Sequence, residues 1–233
     1  MDRRIARKVA RINRERSRQG EITIGTHNVR TMHVGGKHGP GRSKNMLTEY
    51  AARGVDVIGF QEPRRDGQSR FAQAGYVVTC SGYCSGQLDV SGKGRSRGVG
   101  LALKEYMVRG AVCKPESTSD RLLKVRVELV GRSKAVTFVF GYAPSEPSLE
   151  EAKNAVRTAL DSAVAQVPNE ENLFGLMDAI ARTGKKGDDS ASEDSKVLGA
   201  YGRDVLNNNG ERFMTFAGDN DIALVSTFFS TRK

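Results

Sequence analysis

The sequence predicts a layered domain of strands and helices, α/β or α+β in class. Short apolar runs bounded by turn residues recur along the chain and read as strands. Two or three longer segments between them carry apolar residues at helical spacing. A length of 233 residues at 38% hydrophobic content is enough for one domain with a modest core. Alternation alone leaves the sheet topology open.

Residues 22–28 read as the first strand, followed by the Gly-rich stretch 35–41. Ser43 is a candidate cap for a helix to about Arg53, with Met46, Leu47, Tyr50 and Ala51 on one face and Gly54 as its stop. The apolar run 55–60 suits a buried strand, and 76–80 and 98–103 are further strands around a Ser/Gly/Lys/Arg-rich loop. Residues 123–130 alternate apolar and charged, as a half-exposed strand does, and 135–142 is the expected hairpin partner across a turn at 131–133. Ser148 and Glu151 are spaced as a capping box ahead of a helix bearing Leu149, Ala152, Val156, Leu160 and Val164. Residues 173–177 read as a buried strand, 184–199 as a surface loop, 209–220 as a helix with Phe213, Met214, Phe216 and Ala217 inward, and 222–225 as a last strand.

The net charge is +10, which favours anionic partners, nucleic acid before membrane. Residues 1–20 carry +6 of it, through eight basic residues set against Asp2 and Glu15. They read as a disordered basic arm, in which Arg3, Arg4, Arg7, Lys8 and Arg11 are candidate nucleic-acid contacts, and 21–233 reads as one domain. Cys80, Cys84 and Cys113 are an odd set without a secretory signal, so they read as reduced thiols in a nuclear or cytoplasmic protein that is not secreted. No apolar stretch reaches membrane-span length, so no membrane partner is expected. The three histidines are His27, His33 and His38, which leaves none beyond residue 38 for acid–base work.

Four of the strand-like runs end on residues suited to metal or phosphate chemistry: Asn28, Glu62, Tyr142 and Asp178. An amide oxygen, two carboxylates and a phenol at one sheet rim suit a hard, oxygen-liking cation and a phosphate ester. Glu62 and Tyr142 lie close before Pro63 and Pro144, and a residue directly before proline is expected to be extended and to project from the rim. Each also has a plain structural use: a turn cap for Asn28 and Asp178, a salt bridge with Arg64 or Arg65 for Glu62, a core position for Tyr142.

In this order, Asn28-Val29-Arg30, Gln61-Glu62, Tyr142-Ala143-Pro144 and Met177-Asp178, the chain resembles the endonuclease/exonuclease/phosphatase superfamily. Within it the similarity is to LINE-type retrotransposon endonucleases and their craniofacial-development-protein-2-like relatives, over about residues 22–230. The resemblance implies a four-layered α/β sandwich of two mixed sheets flanked by helices. It implies a Mg²⁺- or Mn²⁺-dependent phosphodiesterase acting on nucleic acid, DNA first. By motif, Asn28 and Glu62 are metal-site residues, while Tyr142 and Asp178 are catalytic, one on the phosphate and the other on the attacking water.

Two departures bear on activity. The superfamily places an asparagine two residues after the aspartate, where this chain has Ile180. Loss of one such preorganised donor costs about 10²–10³ in rate. The superfamily's terminal Asp-Tyr and Ser-Asp-His elements are also missing before Lys233, which leads us to expect a C-terminally incomplete domain with an exposed sheet edge. The expected function is therefore an impaired nuclease-like domain, with an inactive remnant that only binds nucleic acid through its basic arm as the alternative.

Overall fold

Strand β1 (Ile24–Asn28) lies parallel to β2 (Val57–Gln61), with Asn28 opposite Gln61. This pairing brings Asn28 beside the end of β2. The computed structural model describes residues 21–30, 32, 41–65, 67–81, 98–107, 116–128, 133–185, 194–202 and 205–230. The arm at 1–20, with its candidate contacts, lies outside them, as do His33, His38, Cys84, Cys113 and most of the Gly-rich stretch. The chain divides into two units. One runs to Tyr142 and includes Val167–Met177, and the other comprises Ala143–Gln166 and the chain from Asp178 on.

The first unit holds two sheets. In one, β3 (Ser69–Gln73), β4 (Tyr76–Cys80) and β5 (Val99–Lys104) join the first two strands in the order β1-β2-β5-β4-β3. Only β1 and β2 are parallel in it, so the sheet is mixed. In the other, β6 (Glu116–Ser119), β7 (Leu122–Val127), β8 (Val136–Tyr142) and β9 (Asn172–Asp178) follow in chain order. The expected hairpin is β7 with β8. The α/β class, with two sheets and helices, is as expected.

Alternation decides which side chains meet. Val57, Val99, Leu101 and Leu103 face Leu123, Val125, Phe138 and Phe140 in a core shared by both sheets. The opposite face of the first sheet, with Ile58, Phe60, Tyr76 and Val78, is covered by Leu47, Met46, Tyr50 and Ala51 of α1 (Arg42–Ala52). Gly59 is glycine because the sheets approach closely there. A Cβ would come within 2.8 Å of the Phe140 ring and 3.0 Å of the Leu176 Cβ. Cys80 is buried, and burial pushes its thiol up to about 11, so it is an unreactive core residue.

Several local expectations are corrected. Helix α1 starts at Arg42 after Gly41, and Ser43 is buried in its first turn instead of capping it. Strand β3 was not expected; it pairs with β4 through Ala74 and Gly75, whose φ angles of 54° and 77° make a tight left-handed turn. Strand β6 has no apolar pattern and is held by its ladder to β7. Strand β9 is not fully buried: it ends the second sheet, so Phe174 is 41% exposed while stacking on Phe138.

In the second unit, α2 (Glu150–Ala165) and α4 (Asn208–Asp219) are tied by polar bonds. Arg157 donates to Asp161 and to Asp219, and Arg212 to Glu150. The expected stripe on α2 is rotated. Lys153, Leu160 and Ala163 are buried, whereas Leu149 is 67% exposed. Buried Lys153 is satisfied by Glu150 and Asn208. The capping box does not form, because the Ser148 hydroxyl bonds that of Ser145 and Leu149 takes the cap position.

At α4 the expected inward face holds, with Phe216 and Ala217 buried and Phe213 and Met214 packed beside them. Asn207 caps this helix by accepting from the Gly210 N–H, and Glu146 accepts from the Asn207 amide. The stretch expected as a surface loop ends in the short helix α3 (Asp194–Val197), with Val197 and Leu198 buried. Residues 222–225 are not a strand. Ile222 and Leu224 N–H donate to the carbonyls of Ala217 and Val197, and a 3₁₀ turn, Val225–Thr227, follows.

Candidate functional site

Asn28, Glu62 and Tyr142 meet at the ends of β1, β2 and β8. The Asn28 amide nitrogen donates to Glu62 Oε1 at 2.9 Å, and the Tyr142 hydroxyl donates to the same oxygen at 3.0 Å. The other carboxylate oxygen, Oε2, accepts from Arg64 Nη2 at 2.8 Å. Burial alone would push the Glu62 carboxyl up. The bonds from Asn28, Arg64 and Tyr142 outweigh it and hold the group below the ordinary carboxylate range.

Each side chain is fixed from behind. The Asn28 amide oxygen accepts from the Arg30 N–H at 3.1 Å, in a turn where Arg30 has a φ of 55°. Gln61, 1% exposed, donates to Thr26 Oγ1 at 2.9 Å and to the Leu176 carbonyl at 3.4 Å, linking β1, β2 and β9 just behind Glu62. The Tyr142 ring lies 5.5 Å from the Arg121 guanidinium, which also donates to the Tyr142 carbonyl.

Glu62 is not extended, although it precedes proline. Its φ is 55° and that of Arg64 is 51°. The Glu62 N–H donates to the Gly98 carbonyl, and Gly98, at a φ of 104°, leaves room for the Pro63 ring. Left-handed backbone at non-glycine residues costs about 1–3 kcal/mol and persists only where surrounding bonds over-determine it. Here the three donors on the carboxylate do so.

Asp178 ends β9 and opens the second unit. Its carboxylate accepts from the Ile180 N–H at 3.4 Å, and its carbonyl accepts from the Ala143 N–H at 2.9 Å. The Ile180 carbonyl accepts from buried Asn209 at 3.2 Å. Ile180 has a φ of 44°, a conformation that asparagine adopts far more readily than a β-branched residue. Ile180→Asn is therefore expected to raise stability by about 1 kcal/mol. Urea denaturation at neutral pH checks this; a lower midpoint for the variant would contradict it.

His27 is exposed, and its Nδ1 contacts the Tyr50 hydroxyl of α1. Among the described residues no group of three or more His, Cys, Asp or Glu converges. The Glu62 carboxylate offers hard oxygens, and the Asn28 amide turns its nitrogen to it while its own oxygen accepts from the Arg30 N–H. That chemistry fits Mg²⁺ or Mn²⁺, since Mg²⁺ commonly takes one or two carboxylates and completes its shell with water and substrate phosphate.

No protein-family model matches the chain. Over 209 residues, 90% of the chain, it is 25% identical to craniofacial development protein 2 of Bos taurus. It is 23% identical to craniofacial development protein 2 of Tragulus javanicus over the same share. It spans about a third of these relatives' length, 31% and 32%.

Among solved structures, it is similar to the endonuclease domain of TRAS1, a telomere-specific non-LTR retrotransposon, at a TM-score of 0.45 and 16% identity over 76% of this chain and 64% of that one. It is also similar to the AP endonuclease LMAP from Leishmania major, at a TM-score of 0.46 and 12% identity over 85% of this chain and 65% of that one. An endonuclease/exonuclease/phosphatase family protein from Leptotrichia buccalis gives a TM-score of 0.46 at 11% identity, covering 70% of this chain and 67% of that chain.

Asn28, Glu62 and Tyr142, singled out from the sequence, meet here, whereas most of the residues that support them were not singled out. Of the two arginines offered as partners of Glu62, it is Arg64 that bonds it, and Gln61 lies within the Gln61-Glu62 motif, so contiguity was its signal. Arg121 has no motif and reaches the site only because β7 pairs with β8.

Proposed function

We propose that the chain is a phosphodiesterase-type domain that acts on nucleic acid, DNA first, with Mg²⁺ or Mn²⁺ held at Glu62 and Asn28. The observation that carries this reading is the convergence of the Asn28 amide and the Tyr142 phenol on one oxygen of Glu62, from three separate strand ends. A cation bound there would polarise a phosphoryl oxygen. The Tyr142 hydroxyl, which donates to Glu62 here, is the candidate donor to phosphate, with its ring beside the Arg121 guanidinium. Asp178 is the candidate for holding the attacking water. Arg3, Arg4, Arg7, Lys8 and Arg11 would add a phosphate attraction that weakens steeply with salt.

Hydrolysis is slow in this reading. At position 180 an isoleucine stands where a donor amide would stabilise developing charge, and its own N–H is turned to Asp178. This same observation favours a second reading, a nucleic-acid-binding domain that cuts nothing.

The test is cleavage of supercoiled and abasic-site DNA by the purified chain in Mg²⁺ or Mn²⁺, alongside filter binding across a salt series. Salt-sensitive binding is expected, with only trace nicking that disappears in EDTA and in Glu62→Gln. Robust nicking sensitive to both would overturn the impairment. Salt-sensitive binding with no Glu62-dependent product at all would favour the second reading. Absence of both binding and Glu62-dependent nicking would overturn the nucleic-acid assignment.

A further inference from the structure

We infer that Arg64 is a resident counter-cation at Glu62, competing with a divalent ion for the carboxylate, so that metal affinity is set by how readily the guanidinium leaves. This rests on the metal-site reading proposed above. The Asn28 amide and Tyr142 hydroxyl both take Oε1, while the Arg64 guanidinium sits on Oε2, where a cation bound to this carboxylate would approach.

The Arg64 contact differs from those of the arginines that hold the fold together. Arg126 brings Nε and Nη2 to Glu171. Arg157 uses Nε, Nη1 and Nη2 on Asp161, the Arg212 carbonyl and Asp219. Arg64 instead leaves its Nε buried with no hydrogen-bond partner. An unsatisfied buried donor is costly. Its backbone is left-handed as well, at a φ of 51°. The Arg64 side chain is 35% exposed against 11% for that of Glu62, so the guanidinium has a route to water while the carboxylate stays in place. Exchange of guanidinium for a divalent ion keeps the buried carboxylate neutralised in both states and releases an unsatisfied donor.

Isothermal titration of Mn²⁺ into the full chain distinguishes the outcomes. Arg64→Gln is expected to bind Mn²⁺ about tenfold or more tightly than the unmodified chain. Arg65→Gln makes the same charge change at a neighbour whose guanidinium lies 4.4 Å from the Phe71 ring. It is expected to stay within about twofold of the unmodified chain, as a screened charge should. Glu62→Gln should lose the binding. Thermal melts without metal check folding, and Arg64→Lys, which keeps charge and stem, replaces Arg64→Gln if that variant does not fold. The lysine variant should bind more tightly than the unmodified chain, because an ammonium is more strongly hydrated than a guanidinium and leaves the carboxylate for water more readily.

Equal or weaker Mn²⁺ binding in the folded Arg64 variant, with Glu62→Gln still abolishing it, would overturn the role of Arg64 and leave the metal site standing. An equal gain in Arg65→Gln would overturn it too, as a general charge effect. If no variant shows Glu62-dependent Mn²⁺ binding, the metal-site reading itself falls, and this inference with it.

Discussion

Phe140→Ala is expected to destabilise the first unit by about 3–5 kcal/mol, the range for emptying a fully buried phenylalanine position. Phe140 is 0% exposed and stacks on Phe138 with ring centroids 6.1 Å apart. The loss should lie near the top of that range, because relaxation is blocked on the facing strand. Gly59 has no side chain to move into the void, and the Phe140 ring is what lies closest to it. Chemical denaturation followed by far-UV circular dichroism measures the effect. A cost under about 1 kcal/mol, typical of surface changes, would mean that the two sheets do not share the core described. A second variant, Gly59→Ala/Phe140→Leu, tests the same contact from the other side. The shorter leucine should recover part of the cost of the added methyl group, giving non-additive changes as neighbours do.

Glu62→Ala is expected to cost about 2–3 kcal/mol of stability, although glutamate is a polar residue at a strand end. The change takes one acceptor from three donors at once: the Asn28 amide, the Tyr142 hydroxyl and the Arg64 guanidinium. It also removes the bonds that hold Glu62 and Arg64 left-handed. Arg64 is partly exposed and can turn to water, which keeps the figure below that of a fully buried pair. Adding Arg64→Ala to Glu62→Ala should therefore cost less than the sum of the two single changes. A double-mutant cycle in urea reads this coupling directly, and strict additivity would show that the Glu62–Arg64 bond contributes nothing.

The strand ends were legible because their signals are local. Apolar runs such as 57–61 and 136–142, short and bounded by turn residues, suit a buried strand, and the order Asn28, Glu62, Tyr142, Asp178 carries the family resemblance. The helix at 208–219 was legible from its apolar spacing. What escaped the sequence depends on partners distant in the chain. Residues 116–119 are Glu-Ser-Thr-Ser and form a strand only because β7 offers a ladder. The left-handed turn at Glu62 runs against the preference before proline and is set by Asn28, Tyr142 and Gly98, which lie between 34 and 80 positions away. The Ser148 cap failed because a nearer hydroxyl, Ser145, was available.

The parallel register of β1 on β2 places Asn28 opposite Gln61, one residue before Glu62. Side chains along a strand alternate between faces, so a shift by a single residue turns every one of them over. Deleting one codon anywhere between positions 24 and 28 would leave the apolar run nearly as hydrophobic while carrying the Asn28 amide away from the Glu62 carboxylate. Drift among descendants of this chain should therefore accumulate substitutions in β1 far more freely than changes in its length.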